Sequence, residues 1–254
     1  MQSYLITGSS RGIGLAIATE LLKDPRNIVI ATARNPDGSK GLQDLKTLYG
    51  EEQLLTVKLD VGDEASILKA AQEVSALLPK GLDCLVSNAA VSLQPLVDNL
   101  PPTLENCDLD LFQEEVRLNV LAPVRVVREF LPLIRLGSNK KVVLVSSSLG
   151  SLEEAPDWEG LGDTYSVTKA ALNMVARKWG STLHAEGIAM VLIHPGWVAT
   201  DMGNTLDDWC HEHKPELPKY TAEESAVKCI QVINGAKPEK AIKYYNLDGT
   251  ELPW

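Results

Sequence analysis

Short, continuously apolar runs alternate with amphipathic stretches along the whole chain, and this alternation restricts the possible folds more than any other feature. The runs at 3–7, 27–33, 53–59, 82–87, 140–146, 188–193 and 241–246 are strand-sized and mostly apolar on consecutive residues, the pattern of strands buried on both faces. Between them, 12–23, 63–78, 109–133, 164–186 and 221–234 carry helical periodicity. The alternation predicts an α/β fold: one doubly wound, Rossmann-type domain over 1–254, with a seven-stranded parallel sheet and helices on both faces. Two stretches, 151–163 and 204–220, interrupt the rhythm with turn residues, acids and tryptophans. They are expected to be loops over the C-terminal edge of the sheet, where such folds carry their sites.

Composition narrows the class of partner. A formal net charge of -10 argues against nucleic acid, whose binding rests on Lys and Arg neutralising phosphates. Cys84, Cys107, Cys210 and Cys229 show no paired spacing, which points to a reducing compartment. No basic, apolar leader follows Met1 and no apolar run reaches membrane-spanning length, so the expected location is cytoplasmic, without a membrane partner.

The first site motif, "TGSSRGIG" from Thr7 to Gly14, follows the first strand and opens a helix. Glycines there allow a tight turn and a close backbone approach to a pyrophosphate, which then meets the free N–H groups of the helix N-terminus. Position separates this motif from an ordinary glycine turn, because another βαβ unit follows. Twenty residues beyond Gly14, where an acid would select NAD through the ribose, the chain has Arg34. A guanidinium forks onto a 2′-phosphate that an acid would repel, and Arg11 in the turn offers a second cation, so NADP(H) is the expected cofactor.

The catalytic candidates lie further on, in "TYSVTKAALN". Residues four apart on a helix have Cβ atoms roughly 5 to 6 Å apart, so Lys169 can bring its ammonium near the Tyr165 hydroxyl. A nearby cation would draw the phenol down from its reference pKa of about 10 toward the range of a general acid/base. The fifth run ends in Ser146, Ser147 and Ser148, any of which can present a hydroxyl to a carbonyl oxygen beside the tyrosine. In "RLNVLAP", Pro123 has no N–H for the carbonyl of Asn119, which predicts a kink with a hydrated carbonyl, a starting point for a proton relay.

These motifs together resemble the short-chain dehydrogenase/reductase family along essentially the whole chain: "TGSSRGIG", the Asp60–Val61 pair, "SNAA", "LNV", "SSSLGS", "YSVTK" and "HPGWVATDM". Within the family, the last of these and the closing "DGTELPW" look most like sniffer-type carbonyl reductases, C-factor and fungal polyketide ketoreductases. The resemblance implies that Tyr165 is the acid/base, Lys169 its pKa-lowering partner and ribose ligand, Ser147 the carbonyl-polarising hydroxyl, and Asn119 the anchor of the relay. It implies cofactor contacts at Gly8, Ser10, Arg11, Gly12, Ile13 and Gly14, at Arg34, Asp60 and Val61, at Asn88, Ala89 and Ala90, and at Pro195, Gly196, Val198 and Thr200. Two departures stand out. Ala90 replaces the usual glycine, and the Ser147–Tyr165 interval exceeds the family pattern, which keeps Ser146 and Ser148 open.

"CHEH" at Cys210, His211 and His213 has no second ligand pair nearby, so no metal is expected. His194 reads as a cofactor-wall or core histidine rather than a base. Trp158, Trp197 and Trp209 lie in or beside the two presumed lid loops. The expected activity is NADPH-dependent reduction of a small ketone or aldehyde. The rival readings are an NADP(H) sensor or developmental signalling protein on the same fold, and an alcohol dehydrogenase working oxidatively. The two long helices admit a homodimer without requiring one.

Overall fold

The computed structural model describes residues 2–96 and 102–254; Met1 and 97–101, which the predicted 1–254 domain includes, lie outside the described residues. The strands, in chain order, are β1 (Gln2–Ile6), β2 (Asn27–Ala33), β3 (Leu54–Lys58), β4 (Cys84–Ser87), β5 (Lys141–Val145), β6 (Ala189–His194), two short strands β7 (Trp197–Val198) and β8 (Lys219–Tyr220), and β9 (Tyr244–Asn246). Seven of them form one parallel sheet in the order β3-β2-β1-β4-β5-β6-β9. The predicted doubly wound sheet is therefore present. The chain leaves β1 toward β2 on one side and returns to β4 on the other. This strand-order switch opens a crevice above the C-terminal ends of β1 and β4, where open α/β sheets take ligands.

The helices are α1 (Gly12–Leu22), α2 (Lys40–Tyr49), α3 (Glu64–Leu77), α4 (Leu109–Val116), α5 (Ala122–Leu136), α6 (Asp163–Leu183), α7 (Asp201–Asn204), α8 (Asp207–His213) and α9 (Ala222–Gly235). The consecutive apolar residues of the strands serve two separate cores. Leu5, Leu85, Val142, Leu144, Met190 and Leu192 point to the side covered by α3, α5 and α6. Their neighbours Ile6, Val86, Val143, Val145, Val191 and Ile193 point to the side covered by α1, α2 and α9. Because adjacent strand residues face opposite ways, a sheet covered on both sides needs apolar residues at both parities.

Three elements differ from the sequence expectation. Helix α2 was not anticipated, because only Leu42 and Leu45 of its ten residues are buried and Leu48 is exposed, leaving a thin apolar stripe. The predicted helix over 109–133 is interrupted by a π-helical turn at Arg117–Leu121, whose closing bond runs from the Ala122 N–H to the Arg117 carbonyl. The expected kink at Pro123 is thus absorbed as one wide turn, with Pro123 at the start of α5, where a missing N–H costs least. The stretch 204–220 is not simply a loop. Asp207 and Asp208 in the first turn of α8, and His211 and His213 in its last, suit the helix dipole, while Trp209 and Cys210 are buried. Its end, β8, pairs in parallel with β7. The other stretch, 151–163, holds a 3₁₀ turn at Ala155–Trp158.

Candidate active site

The glycine turn between β1 and α1 is shaped for a close approach. Gly8 and Gly12 have φ of 71° and 57°, a region that favours glycine. A Cβ on Gly14 would stand 2.3 Å from the Gly8 carbonyl oxygen and 2.6 Å from Asn88 Nδ2. Asn88 Nδ2 donates to the carbonyls of Thr7 (3.0 Å) and Gly8 (3.3 Å), while Thr7 Oγ1 accepts from the N–H groups of Asn88 and Ala89, each at 3.0 Å. The ends of β1 and β4 are locked together on either side of the crevice. A Cβ on Gly8 would lie 3.1 Å from Ala89 Cα, so Ala89 is the residue packed on the turn, while Ala90 is one step further out and partly exposed. Helix α1 begins at Arg11 with no side-chain cap and no acid in its first turn. Its first N–H groups are left for an anionic ligand, which fits the expected dinucleotide pyrophosphate.

Arg34 is exposed at the C-terminal end of β2. Asp60 follows Leu59 at the matching end of β3, where the Leu59 N–H donates to the Ala33 carbonyl at 2.9 Å. Asp60 Oδ1 accepts from the Gly62 N–H at 2.9 Å, so it shapes the turn that also contains Val61. The Ser39 hydroxyl ties the start of α2 to the Ser10 carbonyl at 3.1 Å, joining the glycine turn to this corner. Arg11 is engaged elsewhere than the sequence suggested: its Nη1 lies 2.7 Å from Asp201 Oδ2, in a pair exposed on both sides.

Helix α6 carries the candidates Tyr165 and Lys169, and with them Asn173, on one line at i, i+4 and i+8. Tyr165 lies on the crevice side. Lys169, 2% exposed, donates from Nζ to the Val145 carbonyl at 2.9 Å and stands 5.4 Å from the centroid of the Tyr165 ring. Asn173 accepts from the Ser146 hydroxyl at 2.5 Å and donates to the Gly150 carbonyl at 3.0 Å. Helix and serine turn meet closely, because a Cβ on Gly150 would stand 2.8 Å from Lys169 backbone and side-chain carbons. Burial lowers the Lys169 pKa to about 8. The Tyr165 phenol is pushed up, first by burial and then by Glu115, so in this structure its shift is opposite to the one expected from Lys169. Lys169 presents its charge to a carbonyl and over the ring face, and desolvation outweighs it.

The three serines are not equivalent. Ser146 is buried and committed to Asn173, and Ser148 is buried with its N–H donating to His194 Nδ1 at 3.1 Å. Ser147 is the partly exposed one, and its Oγ accepts a long 3.3 Å bond from the Leu149 N–H, which leaves its proton uncommitted. The Ser147 carbonyl is held by the hydroxyl of Tyr244, a fully buried residue on the edge strand.

Asn119 does more than mark a kink. Its side chain pairs with both backbone groups of Val91, Oδ1 accepting at 2.9 Å and Nδ2 donating at 2.8 Å, and Nδ2 also reaches Thr168 Oγ1 at 3.1 Å. Thr168 Oγ1 in turn donates to the Tyr165 carbonyl at 2.7 Å. One turn earlier, buried Glu115 accepts from the Leu93 N–H at 2.6 Å. Asn119 and Glu115 thus bond alternate residues of the segment after β4, and Ser92 between them lines the cavity.

That cavity, about 310 Å³, contains Ser147 and Tyr165. Ile13, Pro195, Gly196, Val198 and Thr200, all expected at the cofactor, line the same space, whereas Arg34, Asp60 and Val61 lie at the distal strand ends. Thr200 packs against the glycine turn, 3.4 Å from where a Gly12 Cβ would be. The outer wall comes from both interrupting stretches: Trp158 and Leu161 from the first, Leu206, Cys210 and Leu217 from the second. They are joined where Trp209 Nε1 donates to the Glu159 carbonyl at 3.2 Å. Trp158 lies 5.7 Å from Trp209, and Trp209 stacks on His213 at 4.6 Å. The residues of "CHEH" are therefore wall and packing groups. Among the described residues, no cluster of three metal-binding side chains occurs and no helix is long and apolar enough to cross a membrane.

Sequence reasoning missed Asn173, Thr168, Glu115 and Tyr244. The first two share a helix with Tyr165 and Lys169, and their spacing could have raised them. Glu115 is a helical turn before Asn119, but nothing local marks it as buried. Tyr244 is 97 residues from Ser147, and no local pattern signals the contact.

Comparison with known proteins agrees with this geometry. A family model described as short chain dehydrogenase matches residues 2–211. An uncharacterized oxidoreductase of Schizosaccharomyces pombe is 34% identical over 259 residues, covering 99% of this chain and 97% of its own. An NADPH-bound carbonyl reductase from chicken fatty liver superposes with a TM-score of 0.84 at 31% identity, over 100% of this chain and 94% of that one. The carbonyl reductase Sniffer of D. melanogaster shares the fold, with a TM-score of 0.85 at 24% identity over all of both chains. With the family match running from β1 into α8, the chain belongs to the short-chain dehydrogenases.

Proposed function

We propose that this protein is an NADPH-dependent carbonyl reductase that converts a ketone or aldehyde to the alcohol, with the chain acting as one unit. The observation that carries the reading is that Tyr165 and Ser147, the partly exposed residue of the three consecutive serines, line a single cavity with Lys169 buried behind the tyrosine. The cofactor reading rests on the uncapped start of α1, the glycine turn and Arg34, and on the NADPH bound by the chicken enzyme. When bound, NADPH supplies the hydride for the carbonyl carbon.

The protein's own groups handle the oxygen. The Ser147 hydroxyl donates to the carbonyl oxygen and polarises the C=O bond. Tyr165 gives its phenolic proton to the same oxygen as negative charge builds there, which completes the alcohol. The Tyr165 phenol, pushed up by burial and Glu115, is protonated at neutral pH and so has the proton that reduction requires. The buried Lys169 ammonium stabilises the phenolate left behind, and Asn119 holds the α6 turn bearing both residues through Thr168.

The test is NADPH oxidation against aldehydes, diketones and quinones, with Tyr165→Phe as control. The expected result is turnover by the native protein and none by the variant, while both bind NADPH in a fluorescence titration. Silence across the panel with intact NADPH binding would favour a non-catalytic cofactor sensor.

A further inference from the structure

Among the described residues, the only hydrogen bond of the Ser147 hydroxyl is the long one it accepts from the Leu149 N–H at 3.3 Å. The direction of the hydroxyl is therefore set by the backbone that carries it. Ser147 is extended, with φ of -153° and ψ of 143°, and it caps the 3₁₀ turn Ser148–Gly150. Its carbonyl accepts from the Gly150 N–H at 2.8 Å, which closes that turn, and also from the Tyr244 hydroxyl. Two donors on one carbonyl use both of its lone pairs and fix the peptide plane next to the Ser147 Cα.

Tyr244 of β9 is in register with Leu192 of β6, which is in register with Leu144 of β5. The three share the core on the α6 side, and Tyr244 is 0% exposed. A phenylalanine would fill this space equally well. A hydroxyl carried into an apolar core costs stability unless it is bonded, and this one ends on the backbone of the serine that enters the cavity. The ring that carries it is held in turn. Trp254 lies against it with centroids 5.8 Å apart, the Arg177 guanidinium stands 4.3 Å over Trp254, and the Leu252 N–H donates to the Tyr244 carbonyl at 2.7 Å. The Ser146 hydroxyl, bonded to Asn173, fastens the preceding residue to α6, so the Ser147 backbone is tied from two sides.

We propose that Tyr244 is a positioning residue for the reaction: its buried hydroxyl fixes the Ser147 carbonyl and with it the direction in which the Ser147 hydroxyl enters the cavity. This deepens the carbonyl-reductase reading and rests on it, since the serine must be held where the substrate oxygen arrives. Tyr244 acts only through Ser147, so its contribution vanishes when that hydroxyl is removed.

The experiment is a double-mutant cycle on Tyr244→Phe and Ser147→Ala, read as kcat for benzaldehyde with NADPH, beside KM, NADPH affinity and melting temperature. Phenylalanine keeps the ring and deletes only the hydroxyl. The expected result is a loss in kcat of about ten- to a hundredfold for Tyr244→Phe in the native background, the effect of a small misplacement of a reacting group. In the Ser147→Ala background the same substitution should change kcat by less than about twofold. An equal loss in both backgrounds overturns the proposal and leaves the hydroxyl a stabilising group only. No loss in the native background overturns it too, as does a loss confined to KM or NADPH affinity. If Tyr244→Phe fails to fold, Trp254→Ala, which loosens the Tyr244 ring and retains its hydroxyl, replaces it in the same cycle with the same criteria. Should the native protein reduce none of the aldehydes, diketones and quinones, the carbonyl-reductase reading fails separately, and crystal structures of the native protein and Tyr244→Phe decide the positioning role. A Ser147 hydroxyl displaced by about 1 Å or more in the variant supports it, and an unmoved hydroxyl overturns it.

Discussion

The hydroxyl of Ser146 donates to Oδ1 of Asn173 at 2.5 Å, so a residue two helical turns beyond Tyr165 holds the strand end that presents Ser147. That bond orders the three serines by function. Ser147→Ala is expected to lower kcat by about one to three orders of magnitude, the loss of one transition-state donor. Ser146→Ala leaves Asn173 Oδ1 without its donor, and its expected cost is mainly stability, about 1 to 3 kcal/mol in denaturant unfolding. Steady-state kinetics beside urea melts separates the two. A larger kinetic loss at Ser148→Ala than at Ser147→Ala would move the site by one residue.

Arg34 and Arg11 differ in availability. Arg34→Asp is expected to shift the NADPH/NADH preference in kcat/KM toward NADH by roughly ten- to a hundredfold, the worth of a charge-assisted contact. Arg11 is paired with Asp201, but both side chains are well exposed, so the pair itself contributes little. Asp201→Ala should release Arg11 and raise NADPH affinity several-fold at low ionic strength. The gain should shrink at 0.5 M salt, and an affinity indifferent to salt would exclude this account.

Lys169 predicts a pH dependence of stability with a definite sign. Its folded pKa, about 8, is below its ordinary value of 10.5, so between these values the folded protein holds fewer protons than the unfolded chain. The stability linked to this group is therefore complete above the unfolded value and is lost as pH falls through about 8. Relative to Lys169→Met, the native protein should gain stability as pH rises from 7 toward 9.5. Melting temperatures of the pair across that range give the answer, and a gap constant with pH would contradict the shift.

Gly150→Ala tests the contact between α6 and the serine turn. The added Cβ would meet the Lys169 backbone carbonyl carbon and Cβ, each at 2.8 Å, and backbone cannot rotate away. An overpacking cost of about 1 to 3 kcal/mol is expected, together with slower turnover, because the strain falls between Lys169 and Ser147. Gly50→Ala, by contrast, meets nothing within 4 Å and tests only the φ of 75°.

Much of this molecule is legible in the sequence. Alternating parity is local, so strands such as Asn27–Ala33 and helices such as Ala222–Gly235 follow from residues adjacent in the chain. The glycine turn is likewise local, since the spacing of Gly8, Gly12 and Gly14 reflects where the backbone must bend or come close. The resemblance carried Tyr165, Lys169, Ser147 and Asn119 as candidates, and the structure brings the first three together around the serine turn. Helix α8 was hidden because its acids and histidines read as loop composition until their placement at opposite helix ends, with Trp209 and Cys210 between them, was visible.

What only the tertiary structure decided are relationships between chemical groups far apart in sequence. Arg11 meets Asp201 across 190 residues, Tyr244 meets the Ser147 carbonyl across 97, and Ser148 meets His194 across 46. A side chain's donor or acceptor role, and the direction in which burial moves its pKa, depend on the neighbours that folding supplies. Desolvation is a property of the packed interior, so the phenol of Tyr165 rises where its own helix alone would have lowered it.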